Sequence, residues 1–237
     1  MPYKTPAAVV SDGLLAFWAD VDESYLLRYQ QWHNCEHIPE RVSIPGFLVG
    51  RRYRAWSAAR MFFMFYETVD TGVLTSEVYL AALNRPTAWT RESLQHFRRP
   101  LRNVYRKLRE RGQLPRLEAP YLAVYRFNSS ATDGGVAGAE SWIDAIARSQ
   151  PVLRARLYEL DLEASSVQTA ERSIYRGEPG KQRYLALLEC TRPDPWEADA
   201  WQQAERALPA SQLPDRVLED ADRESYWVEY VLYAPAW

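Results

Sequence analysis

Hydrophobic and polar positions in the first hundred residues follow two rhythms in turn. Gly13-Leu14-Leu15-Ala16-Phe17-Trp18-Ala19 is an unbroken apolar run of strand length and reads as a buried β-strand. Next, Tyr25, Leu26, Tyr29 and Trp32 fall on one sector of a helix. Asp22 suits its N-cap and Glu23 its first turn. Pro39 ends it near His37, because the residue before a proline avoids helical geometry. Ile44-Pro45-Gly46 is a turn into a second strand over 47 to 56, and Met61-Phe62-Phe63-Met64-Phe65-Tyr66 is a third, apolar on both faces and so covered on both. A helix over 76 to 83 and 87 to 97, broken near Asn84-Arg85-Pro86, and a strand over 102 to 108 complete a β-α-β-β-α-β unit.

The order then repeats. Residues 121 to 127 read as a strand, 128 to 138 as a Ser- and Gly-rich connection, and 140 to 148 as a helix with Trp142, Ile143, Ile146 and Ala147 on its apolar stripe. Residues 157 to 162 and 171 to 176 read as strand, as does Tyr184-Leu185-Ala186-Leu187-Leu188-Glu189. A helix over 195 to 208 with Trp196 and Trp201 inward and a strand over 226 to 233 close the chain. The fold expected is α+β: two tandem ferredoxin-like units, residues 1–116 and 117–237 joined near 114 to 119, whose antiparallel sheets pack face to face as a pseudo-dimer of the dimeric α/β-barrel kind. Such closure removes free sheet edges.

Composition narrows the function classes. A hydrophobic content of 47% and a charged content of 25% are those of a globular protein. Lys+Arg 29 against Asp+Glu 31 leaves no basic field to recruit nucleic acid or an anionic membrane. No run approaches the ~18 apolar residues of a membrane span, no secretory signal is visible at the N-terminus, and Cys35 and Cys190 form neither a metal spacing nor a disulfide framework. A reducing cytoplasm is the simplest setting. Gly177-Glu178-Pro179-Gly180 lacks the spacing of a phosphate loop, so no nucleotide cofactor is implied.

The chemistry is concentrated at the end of the first helix. Two of the three histidines, His33 and His37, stand four apart with Glu36 between them, and Arg41 follows the expected turn. A carboxylate raises a neighbouring imidazole's pKa while apolar burial opposes its charging, a balance that leaves a histidine poised for acid–base work. Glu36 would orient the imidazole or act as a base itself, and Arg41 would hold a substrate carboxylate or phenolate, or pair with Glu36 or Glu40. Tyr29, Trp32, Tyr53, Phe65, Tyr66 and Trp18 are the candidate substrate-binding aromatics, with core packing as their alternative reading. His33-Asn34-Cys35-Glu36-His37 also matches the H-x-x-E-H zinc motif, which would need Glu67 or Glu77 as a third ligand. The metal-free reading is the one adopted.

Glu36-His37-Ile38-Pro39-Glu40-Arg41, Ile44-Pro45-Gly46-Phe47 and Arg51-Arg52-Tyr53, with Leu83-Asn84-Arg85-Pro86-Thr87-Ala88-Trp89-Thr90, resemble the EthD-like branch of the dimeric α/β-barrel superfamily over residues 12 to 108. The resemblance implies a pocket between sheet and helices and a helix-end histidine, His37, with Glu36 beside it; His33 departs from the pattern as a second imidazole. It implies cofactor-free cyclases, isomerases, dehydratases or monooxygenases acting on small, often aromatic, compounds. Haem enzymes such as the chlorite dismutases share the superfamily and take their ligand histidine from the C-terminal half, where this chain has none. The expected function is therefore a cofactor-independent lyase or isomerase acting on a small aromatic or conjugated compound, sited in the first half, with the second half mainly structural. A haem- or metal-dependent oxidoreductase and a non-catalytic small-molecule-binding protein are the alternatives, and a homodimer is the assembly to test.

Overall fold

The computed structural model describes residues 10–113, 119–129, 136–212 and 218–235. Most of the join expected near 114 to 119, and of the Ser- and Gly-rich connection at 128 to 138, lies outside those residues. Eight strands close into one antiparallel barrel: β1 (Gly13–Val21), β2 (Phe47–Ser57), β3 (Phe62–Thr68), β4 (Phe97–Gly112), β5 (Tyr121–Asn128), β6 (Val152–Asp161), β7 (Tyr184–Cys190) and β8 (Glu219–Tyr233). Around the barrel they run β1-β3-β2-β8-β5-β7-β6-β4.

The first four strands are thus ordered β4-β1-β3-β2 and the last four β8-β5-β7-β6, the same order by position in each half. The halves meet edge to edge, through the β2–β8 and β4–β6 ladders. The two sheets do not face each other as separate layers, as the sequence reading had them; their outermost strands pair, so every strand edge finds backbone partners.

Residue alternation along each strand divides the core into an inside and an outside. Leu14, Ala16 and Trp18 of β1, Phe63 and Phe65 of β3, Tyr53 of β2 and Leu185 and Leu187 of β7 fill the barrel interior. The intervening Leu15, Phe17, Phe62, Met64 and Tyr66 point outward to the helices. β3 is apolar on both sides because both are covered, as its sequence predicts.

The first helical stretch is longer than expected. It runs through α1 (Leu26–Trp32), a π turn (His33–His37) and α2 (Ile38–Val42), passing Pro39 rather than stopping before it. The Ile38 amide reaches back five residues to the His33 carbonyl. A proline inside an α-helix has no amide to donate and crowds the carbonyl four residues earlier, and the wide π turn just before it makes room for both. α3 (Glu77–Asn84) and α4 (Ala88–Leu94) complete the outer layer of the first half.

On the second half lie α5 (Val136–Ile146) and α8 (Asp199–Arg206), which pack Trp142, Ile143 and Trp201 against β5, β6 and β7. Residues 171 to 176, expected as strand, are instead helical: α6 (Leu162–Ser166) and α7 (Ala170–Tyr175) lie between β6 and β7. The Asp161 and Thr169 side chains cap them by accepting from the amides of Ala164 and Arg172. These caps are what a strand reading of that segment overlooks. Among the described residues no helix is long and apolar enough to cross a membrane.

Candidate active site

Between the outer face of the first half and its helices lies a cavity of ≈ 50 Å³. Its wall includes His33, His37, Arg41, Trp32, Tyr66 and Arg102. Gly50 makes the layer thin enough for this, since a Cβ there would meet the Tyr66 ring at 2.8 Å and Ile38 at 3.0 Å. Gly46 turns the chain into β2 with a φ of +92°, a conformation that favours glycine.

The π turn sets the two histidine rings 5.6 Å apart and inclined by only 25°. His37 also lies 4.4 Å from the Trp32 ring. Nδ1 of His33 is 3.1 Å from the Arg52 guanidinium. Arginine only donates, so His33 accepts there and carries its single proton on Nε2. Burial first, then the charges of Arg52 and Arg41, holds the His33 pKa well below its ordinary value. Burial, Arg41 and His33 do the same for His37, whose Nδ1 is buried with no hydrogen-bond partner. Both rings are therefore neutral at neutral pH.

Arg41 is buried and pairs with Glu171 of α7, with Glu40 at 3.2 Å as a second partner. Of the two partners expected for it, Glu36 is not one. Burial pushes the Glu171 carboxyl above its usual range, against the pull of Arg41. A second buried guanidinium, Arg102, reaches the Tyr79 hydroxyl at 3.5 Å. The Tyr66 hydroxyl is buried without a partner, and burial keeps it protonated. The cavity thus presents two neutral imidazoles, three phenols and two guanidiniums against a single carboxylate.

The structure divides the candidates named from sequence. His33, His37, Arg41, Trp32 and Tyr66 share the cavity wall. Glu36 turns away and accepts from Thr87 Oγ1 at 2.6 Å and Thr90 Oγ1 at 3.0 Å, while Thr90 accepts from the Trp32 indole. Its role in the structure is to brace that wall. Tyr29 sits in the core behind it, donating to the Met64 sulfur. Trp18, Tyr53 and Phe65 face the barrel interior, on the other side of the sheet. One-residue parity decides this: Phe17 and Tyr66 look outward, so Trp18 and Phe65 cannot. Sequence reasoning missed Arg102, Tyr79, Glu171 and Tyr175. Thr169, Glu171 and Tyr175 come from the second half, to which a mainly structural role was assigned.

The zinc alternative finds no third ligand. Glu67 lies inside the barrel on Arg156, Glu77 is exposed, and among the described residues no three His, Cys, Asp or Glu side chains converge on one point.

No family model matches the sequence, and no curated protein is significantly similar to it. Solved structures match nearly its whole length. An anthrone oxidase-like protein superposes with a TM-score of 0.59 at 8% identity, covering 95% of this chain and 94% of its own. A proposed monooxygenase of Fusobacterium nucleatum subsp. nucleatum gives 0.57 at 8%, over 94% and 95%. A chlorite dismutase variant of Candidatus Nitrospira defluvii gives 0.57 at 12%, over 93% of each chain. At such identities the likeness shows the fold alone: mixed α/β with a closed antiparallel eight-stranded barrel.

Chlorite dismutases raise the question of haem, and the residues here do not fit one. The outer face of the second half holds no histidine, and Tyr125, Trp142, Ile143 and Trp201 are buried together between its sheet and helices.

Proposed function

We propose that the chain is an oxidoreductase that oxidises a small, readily ionised aromatic compound with dioxygen, its own side chains handling the proton. The observation that carries this reading is His37: neutral, with a buried and unpartnered Nδ1, on a wall shared with Arg41 and Arg102. A base held to such a low pKa is a weak one, so its substrate must be acidic. The two guanidiniums supply that acidity by favouring the anion. His33, fixed as an Nε2–H donor, and the Tyr66 phenol are hydrogen-bond donors for a developing oxyanion.

Proton removal from a methylene activated by flanking aromatic rings leaves a delocalised carbanion that transfers electrons to dioxygen. In balance, the methylene compound and one dioxygen give the ketone and one water. The carbon loses four electrons, one oxygen atom enters the product, and the other leaves as water with both methylene protons. Neighbours described as anthrone oxidase-like and as a proposed monooxygenase are consistent with this class of reaction. The lyase or isomerase reading from sequence used the same base, and oxidation takes its place on the strength of those neighbours.

The EthD-like resemblance is supported by His37 lying on a pocket between sheet and helices, although the helix runs on past it to Val42 instead of ending there. A tandem of two ferredoxin-like units, 1–116 and 117–237, is supported by the matching strand orders and by a repeated interior pattern. Arg51, Tyr53 and Glu67 of the first half stand where Arg156, Tyr158 and Glu189 stand in the second.

Oxygen uptake with an anthrone and with other methylene compounds flanked by aromatic rings tests the function. Uptake that is coupled to ketone formation and lost in His37→Ala is expected. The reading fails if none of these compounds drives uptake, or if His37→Ala matches the wild type.

A further inference from the structure

The β2–β3 connection of the first half spans only residues 58 to 61, whereas its counterpart β6–β7 spans 162 to 183. That longer connection, carrying α6 and α7, crosses to the first half and roofs the cavity. Its root is fixed, with Ser165 Oγ accepting from the Val104 amide at 2.7 Å. Its far end is also held, the Gly180 amide donating to Asn103 at 2.8 Å. The part over the cavity is seated by α7 against α3, α4 and β4, with Ile174 and Tyr175 in the cluster around Phe17 and Phe97. The Ala170 amide donates to Asn84 Oδ1 at 2.9 Å, the Tyr175 ring meets Phe17 edge-on at 5.2 Å, and Glu171 reaches down onto Arg41.

With the strap in this position the cavity of ≈ 50 Å³ takes a few waters, at about 10–15 Å³ each on the same measure. No aromatic ring enters without a movement of the wall. The carboxylate on Arg41 is meanwhile the one negative side chain on a wall that otherwise favours anions.

We infer that Glu171 is a built-in competitor for an aromatic anion: the strap places its own carboxylate where an arene carboxylate or phenolate would bind Arg41, and an incoming anion displaces it and lifts the strap over residues 169 to 175. This deepens the proposed function by naming the charge class of the ligand and the residue that selects it. Glu171 is a specificity-determining residue. Arg41 keeps Glu40 as a partner when Glu171 leaves, so its charge is not stranded.

Benzoate and its neutral isostere benzamide, titrated calorimetrically into wild type and Glu171→Gln, test the inference without turnover, so failed oxidation chemistry and a failed competitor are told apart. Glutamine keeps the hydrogen bond and removes the competing charge, so benzoate binds the variant about tenfold tighter or more, the scale of one charge-assisted hydrogen bond, and benzamide binds both alike. In wild type, saturating benzoate speeds amide exchange at Ala170 and through α7, a readout that stands even if the variant does not fold. Equal or weaker benzoate binding by Glu171→Gln, the same gain for benzamide, no benzoate binding to either protein, or slower exchange in α7 would each overturn it.

Discussion

The Arg52 guanidinium donates to Nδ1 of His33 across 3.1 Å, and so decides which nitrogen of that ring holds the proton. The same guanidinium donates to Asn34 Oδ1 at 2.8 Å and to Glu229 of β8 at 2.8 Å, so its position is fixed from both sides. Replacing Arg52 by Met removes the donor and one of the charges that keep His33 neutral. The expected result is a mixed tautomer and a rise in the His33 pKa toward its ordinary value, read by 15N chemical shifts of the imidazole. Turnover falls by roughly one to two orders of magnitude as a positioned hydrogen-bond donor is lost. A wild-type ring already protonated on Nδ1 would contradict the arrangement.

His37 and Glu36 are neighbours in sequence with different surroundings, and their variants separate accordingly. His37→Ala is expected to lower kcat by about 10²–10⁴, the range for a positioned general base. Glu36→Gln keeps an acceptor for Thr87 and Thr90 and leaves the cavity wall intact, so its turnover stays within a few-fold of wild type and its stability drops by about 1 kcal/mol. Steady-state kinetics on both variants, with thermal melts as the folding control, check the split. A Glu36→Gln loss as large as that of His37→Ala would return Glu36 to the reacting group.

Parity and helical spacing made much of this site readable in the sequence. The clustering of His33, His37 and Arg41 beside an apolar stripe pointed to the surface that lines the cavity. Alternation in β1 and β3 also held the answer for Trp18 and Phe65, because Phe17 and Tyr66 lie on the opposite face, but aromaticity alone does not apply it. Glu171 and Tyr175 were beyond reach for a physical reason. They stand 130 residues or more from Arg41, and only barrel closure through the β4–β6 ladder brings α7 over the first half. The π turn was also hidden, since a proline normally signals an end and only tertiary packing shows that the helix resumes.

Stability should depend on pH through the same two histidines. Their folded pKa values lie below the unfolded one of about 6.5, so below that pH the unfolded chain holds protons that the folded chain refuses. Stability is therefore complete above about pH 6.5 and declines as pH falls, by roughly 1.4 kcal/mol per unit for each histidine until the folded pKa is reached. Glu171 acts oppositely near the carboxylate range, because its raised pKa lets the folded state gain a proton first. Urea midpoints at pH 7.5, 6.5 and 5.5 should fall in order, and a His33→Gln/His37→Gln double variant should flatten the series. Unchanged midpoints in wild type would mean that the imidazolium forms are accommodated.

Inside the barrel, Arg156 joins the halves through Glu67 of β3 and Glu189 of β7, the latter at 3.2 Å and shared with Arg51 at 3.2 Å. Arg156 is completely buried and Glu67 and Glu189 nearly so; Arg154, 3.7 Å from each carboxylate, and Arg51 still balance their charge, but only Arg156 hydrogen-bonds both, so its removal leaves those bonds unmade without water. Arg156→Met is expected to destabilise by about 3–5 kcal/mol, and pairing it with Glu67→Gln should recover part of that loss. Arg51→Met costs less, since Arg51 contacts only one of the two carboxylates and Arg156 continues to serve both. The cluster lies across the sheet from the cavity, so any of these variants that folds should bind benzoate as wild type does. Denaturant titrations measure the first effect and calorimetry the second. A loss under 1 kcal/mol for Arg156→Met would show that water reaches the cluster and that the two halves do not depend on it for closure.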